Sequence, residues 1–275
     1  MLKNFVKWFS VISGVGGILG AILLINMFLN NLKTDTYKEQ IEINNKVILN
    51  VKNNFLGQME NEFNLIISNN LIEKLSKNEF VNTNANFSLK YSKRKIKENK
   101  QGIVSTEDGV FLYSYFRLPK TSKIEGSIQI RTSLEQFSDK VYEEYGKKII
   151  FNLNESFLNN LSFDTKIKNF QSFLNNKLLR KTENIIQELN LIKSTFISND
   201  LLELEKNGFL KKDTFFFTNS ILKNLENKPV GNILVLEDTT VQGSTQYIVN
   251  NLEKLSQTIM ISVMSLLFAG SLLLY

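Results

Sequence analysis

The sequence predicts an α+β protein in which a long N-terminal helix is followed by two antiparallel β-sheet modules with flanking helices, between two transmembrane helices. Three observations carry this prediction. Charge-free apolar runs lie near both ends of the chain, a long amphipathic stretch follows the first run, and alternating segments with turn signals occur twice after it. The predicted segments are transmembrane helix 1 at 8–29, the long helix at 36–76, a distal module at 80–155, a proximal module at 156–256, and transmembrane helix 2 at 258–275, which the chain end cuts.

The first apolar run, Trp8–Leu29, contains no charged side chain. As a helix it is ~33 Å long, which is enough to cross a hydrocarbon core of ~30 Å. Lys3 and Lys7 precede it without an acidic residue, and this predicts a cytoplasmic N-terminus. A cleaved signal peptide is the alternative, but the apolar core exceeds the usual length of about 7–15 residues and no small-residue cleavage site follows. We therefore expect an uncleaved anchor.

The long helix is predicted from apolar residues that recur at helical spacing with Lys, Asn and Glu between them. These residues are Ile41, Ile48, Val51, Phe55, Met59, Phe63, Ile66 and Leu71. The stripe suits two arrangements, namely a helix packed on its own domain and a stalk that also pairs with a second subunit. The pattern does not separate them, and a homodimer is our expectation.

The distal module is predicted from strands at Val110–Leu118, Gly126–Arg131 and Lys148–Leu153. Asp108-Gly109 before the first of them is a strong hairpin signal. Between the last two strands we expect a helix that begins with Thr132 or Ser133 as its cap and ends at Gly146.

The proximal module begins with Phe157–Asn190, whose apolar spacing predicts helix, either continuous or broken at the gap Ser162–Asp164. Two strands, Thr214–Leu222 and Val230–Glu237, then form a hairpin with a long loop. A helix over Val241–Leu255 runs without interruption into the second apolar run, Thr258–Tyr275.

Composition excludes several functions. The chain carries 33 Lys and Arg against 27 Asp and Glu, but no basic stretch is dense enough to indicate nucleic-acid binding. It has no cysteine and no histidine, so disulfides, thiolate or imidazole metal sites and histidine-dependent catalysis are ruled out. No nucleophile–base pair is visible either. We expect no enzymatic activity and no cofactor.

Short motifs resemble those of the bacterial double Cache domain. Ile124–Phe137 is similar to the end of that family's distal module, with Arg131 where glycine is often found. Lys147–Leu153 resembles the strand that follows, and Phe215–Thr240 resembles the proximal module. The resemblance implies two PAS-like modules that form the extracytoplasmic input of a chemoreceptor, a sensor histidine kinase or a cyclic-di-GMP enzyme. The only tryptophan is Trp8, so the family's amino-acid-binding pattern cannot be completed and we predict no amino-acid ligand.

Candidate ligand-binding residues come from strand alternation, because every second residue of a strand shares a face. One face of Val110–Leu118 carries Phe111, Tyr113, Tyr115 and Arg117, and the neighbouring strand adds Gln129 and Arg131. The opposite face is the predicted core face and carries Val110, Leu112, Ser114, Phe116 and Leu118. Arginines beside aromatic rings suit a small anionic or carboxylate ligand. The alternative is a solvated strand face on which tyrosine is favoured for its β-propensity.

These observations predict the ligand-sensing input region of a bacterial transmembrane signalling receptor. We expect residues 33–257 to lie outside the cytoplasm, held by the inner (plasma) membrane. A small anion, or a periplasmic binding protein, would shift the domain and pass a signal to a cytoplasmic effector not present in this chain. The alternative is a membrane-anchored adaptor whose periplasmic domain binds another protein and senses nothing.

Overall fold

The computed structural model describes residues 2–77, 86–120, 124–181, 185–241 and 245–273, without the side chains of residues 2–15, 18, 21, 245–246, 267–268 and 270–273. The fold is mixed α+β, with a long N-terminal helix and two antiparallel sheets, and this part of the predicted fold class is confirmed. The chain divides into two compact units. Unit 1 comprises Met1–Glu42, Asp213–Phe216 and Asp238–Tyr275, and unit 2 comprises Ile43–Lys212 and Phe217–Glu237.

The N-terminal helix, α1, runs over Leu2–Ser68, so it begins before the predicted long helix and ends earlier. Two hydrogen bonds close its end, from the Leu71 N–H to the Ile66 carbonyl at 3.0 Å and from the Asn70 N–H to the Ile67 carbonyl at 3.2 Å. Asn70 has the left-handed φ of 53° that this helix-ending motif needs. A separate short helix, α2, follows at Ile72–Ser76.

The first sheet has four antiparallel strands in the order β1-β4-β3-β2. They are β1 (Ser88–Ser92), β2 (Lys100–Thr106), β3 (Gly109–Arg117) and β4 (Ser127–Ser133). Thr106 pairs with Gly109, so β2 and β3 form the tight hairpin that Asp108-Gly109 predicts. Helix α3 (Leu134–Tyr145) follows with Ser133 and Gln136 as a capping box and Gly146 at its end, as expected.

The second sheet has six strands in the order β6-β7-β5-β10-β9-β8. The remaining elements are β5 (Lys148–Asn154), α4 (Phe163–Asn169), β6 (Phe170–Ser172), β7 (Lys177–Arg180), α5 (Ile186–Thr195), α6 (Ser198–Asn207), β8 (Phe209–Lys212), β9 (Phe215–Lys223), β10 (Pro229–Asp238) and α7 (Thr245–Leu273). The strands predicted at Lys148–Leu153, Thr214–Leu222 and Val230–Glu237 are confirmed within one or two residues.

The helix predicted over Phe157–Asn190 is only partly confirmed. Helix is found at Phe163–Asn169, with Ser162 as its N-cap, and again from Ile186, but the stretch between them contains the β6–β7 hairpin. Asn175 and Asn176 form its turn with φ values of 54° and 55°. Two consecutive left-handed residues are the geometry of a type I′ turn, whose twist matches the flanking strands. Strands β1 and β8 were not predicted.

One hydrophobic core in unit 2 joins α1, α3 and both sheets. On the four-stranded sheet, Phe63 of α1 stacks on Phe116 of β3 with ring centroids 4.7 Å apart. Phe55 of α1 stacks on Phe137 of α3 at 6.0 Å. Phe137 in turn meets Phe151 of β5 edge-on at 6.2 Å, which continues the core onto the six-stranded sheet.

A polar network is buried within this unit. The Asn44 side-chain amide of α1 donates to the Thr218 hydroxyl at 3.0 Å and to the Glu237 carboxylate at 2.9 Å. The Lys147 ammonium donates to the same carboxylate oxygen at 2.6 Å. The Glu237 side chain is only 7% exposed, so the Lys147 charge and the Asn44 amide replace the water that it loses on burial.

In unit 1, the Lys33 ammonium of α1 forms an ion pair with Glu253 of α7. The bond to Glu253 raises the pKa of Lys33, although burial acts in the opposite direction. Lys33 also lies 5.7 Å from the ring centroid of Tyr37, whose ring is 5.1 Å from that of Phe216. Burial raises the pKa of the Tyr37 hydroxyl.

The apolar run Trp8–Leu29 lies in α1, and most of Thr258–Tyr275 lies in α7. Over the part of the chain that is described, none of the helices combines the length and the apolar character needed to cross a membrane. Parts of the predicted spans lie outside the described residues, namely the last two residues of the chain and the side chains of residues 8–15, 18, 21, 267–268 and 270–273. The same holds for residues 80–85 of the predicted distal module.

Candidate functional site

The candidate site lies on β3 and β4, on the sheet face opposite the core. Leu112, Ser114 and Phe116 of β3 are buried toward α1, as their alternation predicts. Phe111, Tyr113, Tyr115 and Arg117 take the intervening positions. Register aligns Tyr113 with Arg131 and Tyr115 with Gln129, which brings four of the five predicted residues together.

Arg131 is held by three neighbours. Its Nη1 donates to the Tyr113 hydroxyl at 3.2 Å, and its guanidinium carbon is 4.3 Å from the ring centroid of Phe111. Its Nη2 is 3.8 Å from a carboxylate oxygen of Asp108, an exposed residue in the β2–β3 turn. The cation–π contact and the hydroxyl bond together fix the plane of the guanidinium.

The two tyrosines form an aromatic platform beside this arginine. Their ring centroids are 5.5 Å apart and their planes differ by 21°. Burial raises the pKa of the Tyr115 hydroxyl, Tyr113 raises it further, and the positive charge of Arg94 opposes both effects. We call Phe111, Tyr113, Tyr115, Gln129 and Arg131 the tyrosine–arginine surface.

Arg117 ends β3, two residues beyond Tyr115 on the same face, and its side chain bonds to other partners. It is four residues along β3 from Tyr113, a distance of ~13 Å in an extended strand. Its Nη1 donates to the Lys97 carbonyl at 3.1 Å, and its N–H donates to the Asn99 side chain at 2.9 Å. It lines a different cleft of about 210 Å³ together with Lys95 and Lys120. The structure therefore bonds Arg131 to the Tyr113 hydroxyl, whereas the Arg117 guanidinium is bonded to the Lys97 carbonyl.

Two contributors were missed by the sequence reasoning. Phe111 was assigned to the candidate face but not to the predicted site, because its stacking on Arg131 depends on the β3–β4 register, which the sequence does not reveal. Arg94 lies in the basic stretch Lys93–Lys97 and was not among the predicted site residues. Its backbone carbonyl accepts a hydrogen bond from the Ser127 hydroxyl at 3.0 Å, which fastens this stretch to the start of β4.

The arrangement is suited to binding. The fixed guanidinium of Arg131 can donate to an anion, while the half-buried Tyr115 ring can contact its planar or apolar part; Tyr113 is buried and holds the guanidinium through its hydroxyl. Among the described residues, no group of three acidic side chains is placed to hold a metal ion.

Comparisons of the chain with protein-family models, with curated proteins and with solved structures found no match.

Proposed function

We propose that this chain is the extracytoplasmic ligand-sensing input region of a bacterial transmembrane signalling receptor. In this proposal the tyrosine–arginine surface binds a small anionic ligand, and the bound state favours one arrangement of the domain. That arrangement is passed to a cytoplasmic effector. The four-stranded sheet corresponds to the distal Cache module and the six-stranded sheet to the proximal one, although the six-stranded sheet includes β5, which was predicted as part of the distal module.

The observation that carries the proposal is the orientation of Arg131 before any ligand binds. Its bond to the Tyr113 hydroxyl and its stacking on Phe111 hold the guanidinium in one geometry. An arginine on a solvated strand face would lose rotamer freedom on binding, at a cost of about 0.5–1.5 kcal/mol. In the free protein the Arg131 side chain is already ordered, so binding an anion does not carry this entropy cost. This supports recognition of an anion.

A route for the signal is supported by the packing beneath the surface. Phe116 lies between Tyr115 and Arg117 on β3 and points to the opposite face, where it stacks on Phe63 of α1. A ligand that shifts β3 would displace this pair, and α1 would move with it. Such a shift requires the ligand to bind one arrangement more tightly than the other.

The membrane part of the proposal rests on the sequence. The charge-free runs Trp8–Leu29 and Thr258–Tyr275 supply its two anchors, and Lys3 and Lys7 orient the first. The homodimer in this proposal rests on the apolar stripe of α1, which suits pairing with a second subunit as well as packing on its own domain.

The test is a thermal-shift screen of the full chain in lipid nanodiscs against acetate, pyruvate, succinate and citrate. A ligand of the surface raises Tm in a saturable way. Arg131→Ala removes a charge-assisted hydrogen bond worth about 1.5–3 kcal/mol, and so weakens binding at least tenfold. Arg117→Ala is the matched control, because the Arg117 guanidinium is bonded to the Lys97 carbonyl and not to a tyrosine, and it leaves the affinity unchanged.

A Tm shift that survives Arg131→Ala contradicts the assignment of the site. The absence of a shift with every compound favours the alternative function, an adaptor that binds another protein.

A further inference from the structure

A second cavity lies within unit 2, away from the tyrosine–arginine surface. Its volume is about 240 Å³. It is lined by parts of α1, β2, β3, α3, β5 and the β9–β10 hairpin, and its floor is made of buried apolar side chains: Ile103, Leu112, Phe137, Phe151 and Ile233. Because these residues come from both sheets, the cavity is part of the shared core.

The rim of the cavity is held in a defined geometry. Ile103 of β2 forms a parallel bridge with Asn224, which follows β9. A Cβ at Gly102 would lie 2.5 Å from the Asn224 carbonyl carbon, so glycine is required for this approach. The Asn224 side-chain oxygen accepts from the N–H groups of Glu226 and Lys228, both at 2.9 Å, and this closes the turn.

Two lysines, Lys52 of α1 and Lys223 of β9, also line the cavity. Burial lowers the pKa of Lys52, and the nearby positive charge of Lys223 lowers it further. Within the described ranges, neither ammonium forms an ion pair with an acidic side chain. Two positive charges of this kind at the edge of an apolar cavity repel each other, and an anion between them would remove that repulsion.

We propose that this lysine cavity binds a small monocarboxylate with an aliphatic tail. The carboxylate lies between Lys52 and Lys223, and the tail lies among the apolar side chains of the floor. At ~30 Å³ for each water-sized group, the volume accommodates roughly eight non-hydrogen atoms, which is the size of hexanoate. The proposal stands apart from the proposed function, because the cavity and the tyrosine–arginine surface share no residue.

The test is calorimetric titration of hexanoate into the full chain in lipid nanodiscs, with the heat of empty discs subtracted. We expect saturable binding with one site per chain. Hexanol keeps the tail without the charge, hexylamine reverses the charge, and acetate lacks most of the tail. Each of these three compounds is expected to bind at least tenfold more weakly than hexanoate, a loss of ~1.4 kcal/mol or more.

Two variants separate a binding role of the lysines from a structural one. Lys52→Gln and Lys223→Gln are each expected to weaken hexanoate binding at least tenfold and, because they relieve like-charge repulsion, to raise the Tm of the free protein. Lys38→Gln is the matched control, since Lys38 is an exposed lysine of the same helix. It leaves both quantities unchanged.

Three results overturn the proposal. The first is hexanoate binding that persists in Lys52→Gln, and the second is hexanol binding equal to that of hexanoate. The third is a titration of hexanoate without heat beyond that of the empty discs. Arg131→Ala leaves hexanoate binding intact, so a failure here is distinguishable from a failure of the proposed function.

Discussion

Replacing Glu237 with alanine is the sharpest test of the buried polar network. The substitution leaves the Lys147 ammonium and the Asn44 amide without the carboxylate that accepts from both. Breaking a buried pair from one side costs about 3–5 kcal/mol, and the partial exposure of Lys147 places the expected loss near 3 kcal/mol. For a domain of this size, a loss of ~3 kcal/mol lowers Tm by roughly 6–12 °C.

The measurement is thermal unfolding of the full chain in lipid nanodiscs, followed by circular dichroism. Glu203→Ala, at an exposed position of α6, serves as the control and shifts Tm little. The double variant Glu237→Leu with Lys147→Met removes both charges, so we expect it to recover most of the loss. A Tm for Glu237→Ala that equals that of the control would refute the reasoning.

Two further predictions use the same unfolding measurement. Gly231→Ala places a Cβ 2.4 Å from the Asn152 carbonyl oxygen, so we expect it to destabilise the protein by about 1–3 kcal/mol. Gly57→Ala, at a helical glycine with open space around it, stabilises the protein by up to ~1 kcal/mol. Equal changes in stability for Gly231→Ala and Gly57→Ala would contradict the argument. Burial, with the neighbouring Glu135, raises the pKa of Asp139, so the folded state favours its protonated form. Asp139→Asn therefore stabilises the protein above that raised pKa, and the gain disappears below the ordinary carboxyl pKa of about 3.9; a gain independent of pH would contradict the assignment.

Strands with clear alternation and strong turn signals could be predicted from the sequence. Asp108-Gly109 and the run after it locate the β2–β3 hairpin, and Ser133 with Gln136 locates the start of α3. These signals are local, since each depends on neighbours within a few residues. The same locality explains why the buried side of β3 was identified correctly.

The β6–β7 hairpin was misread because Phe170, Leu174 and Leu178 are spaced four apart, which imitates a helix face. The turn signal was Asn175-Asn176, a pair that tolerates left-handed φ without glycine. Asn70 ends α1 for the same reason. In this asparagine-rich chain, a single asparagine is a weak signal by itself.

The candidate sites were less accessible to sequence reasoning. Strand alternation correctly put Arg117 and Arg131 on one face of the sheet. Their separation along that face depends on strand register, and only Arg131 forms a hydrogen bond with Tyr113. Lys52 and Lys223 are far apart in the sequence, and only the tertiary fold brings them to one cavity. Long-range proximity of this kind leaves no local pattern.

The core shared by α1, α3 and both sheets has a consequence for how the protein can be divided. Phe55 of α1 packs on Phe137 of α3, and Phe63 of α1 packs on Phe116 of β3, so α1 forms one side of the core. A fragment that starts after α1 would expose those surfaces to water, and a cut between β4 and β5 would separate Phe137 and Phe151 from part of their packing. The two sheets should therefore unfold in one cooperative step, and a shortened expression clone has to retain α1 from at least Ile43.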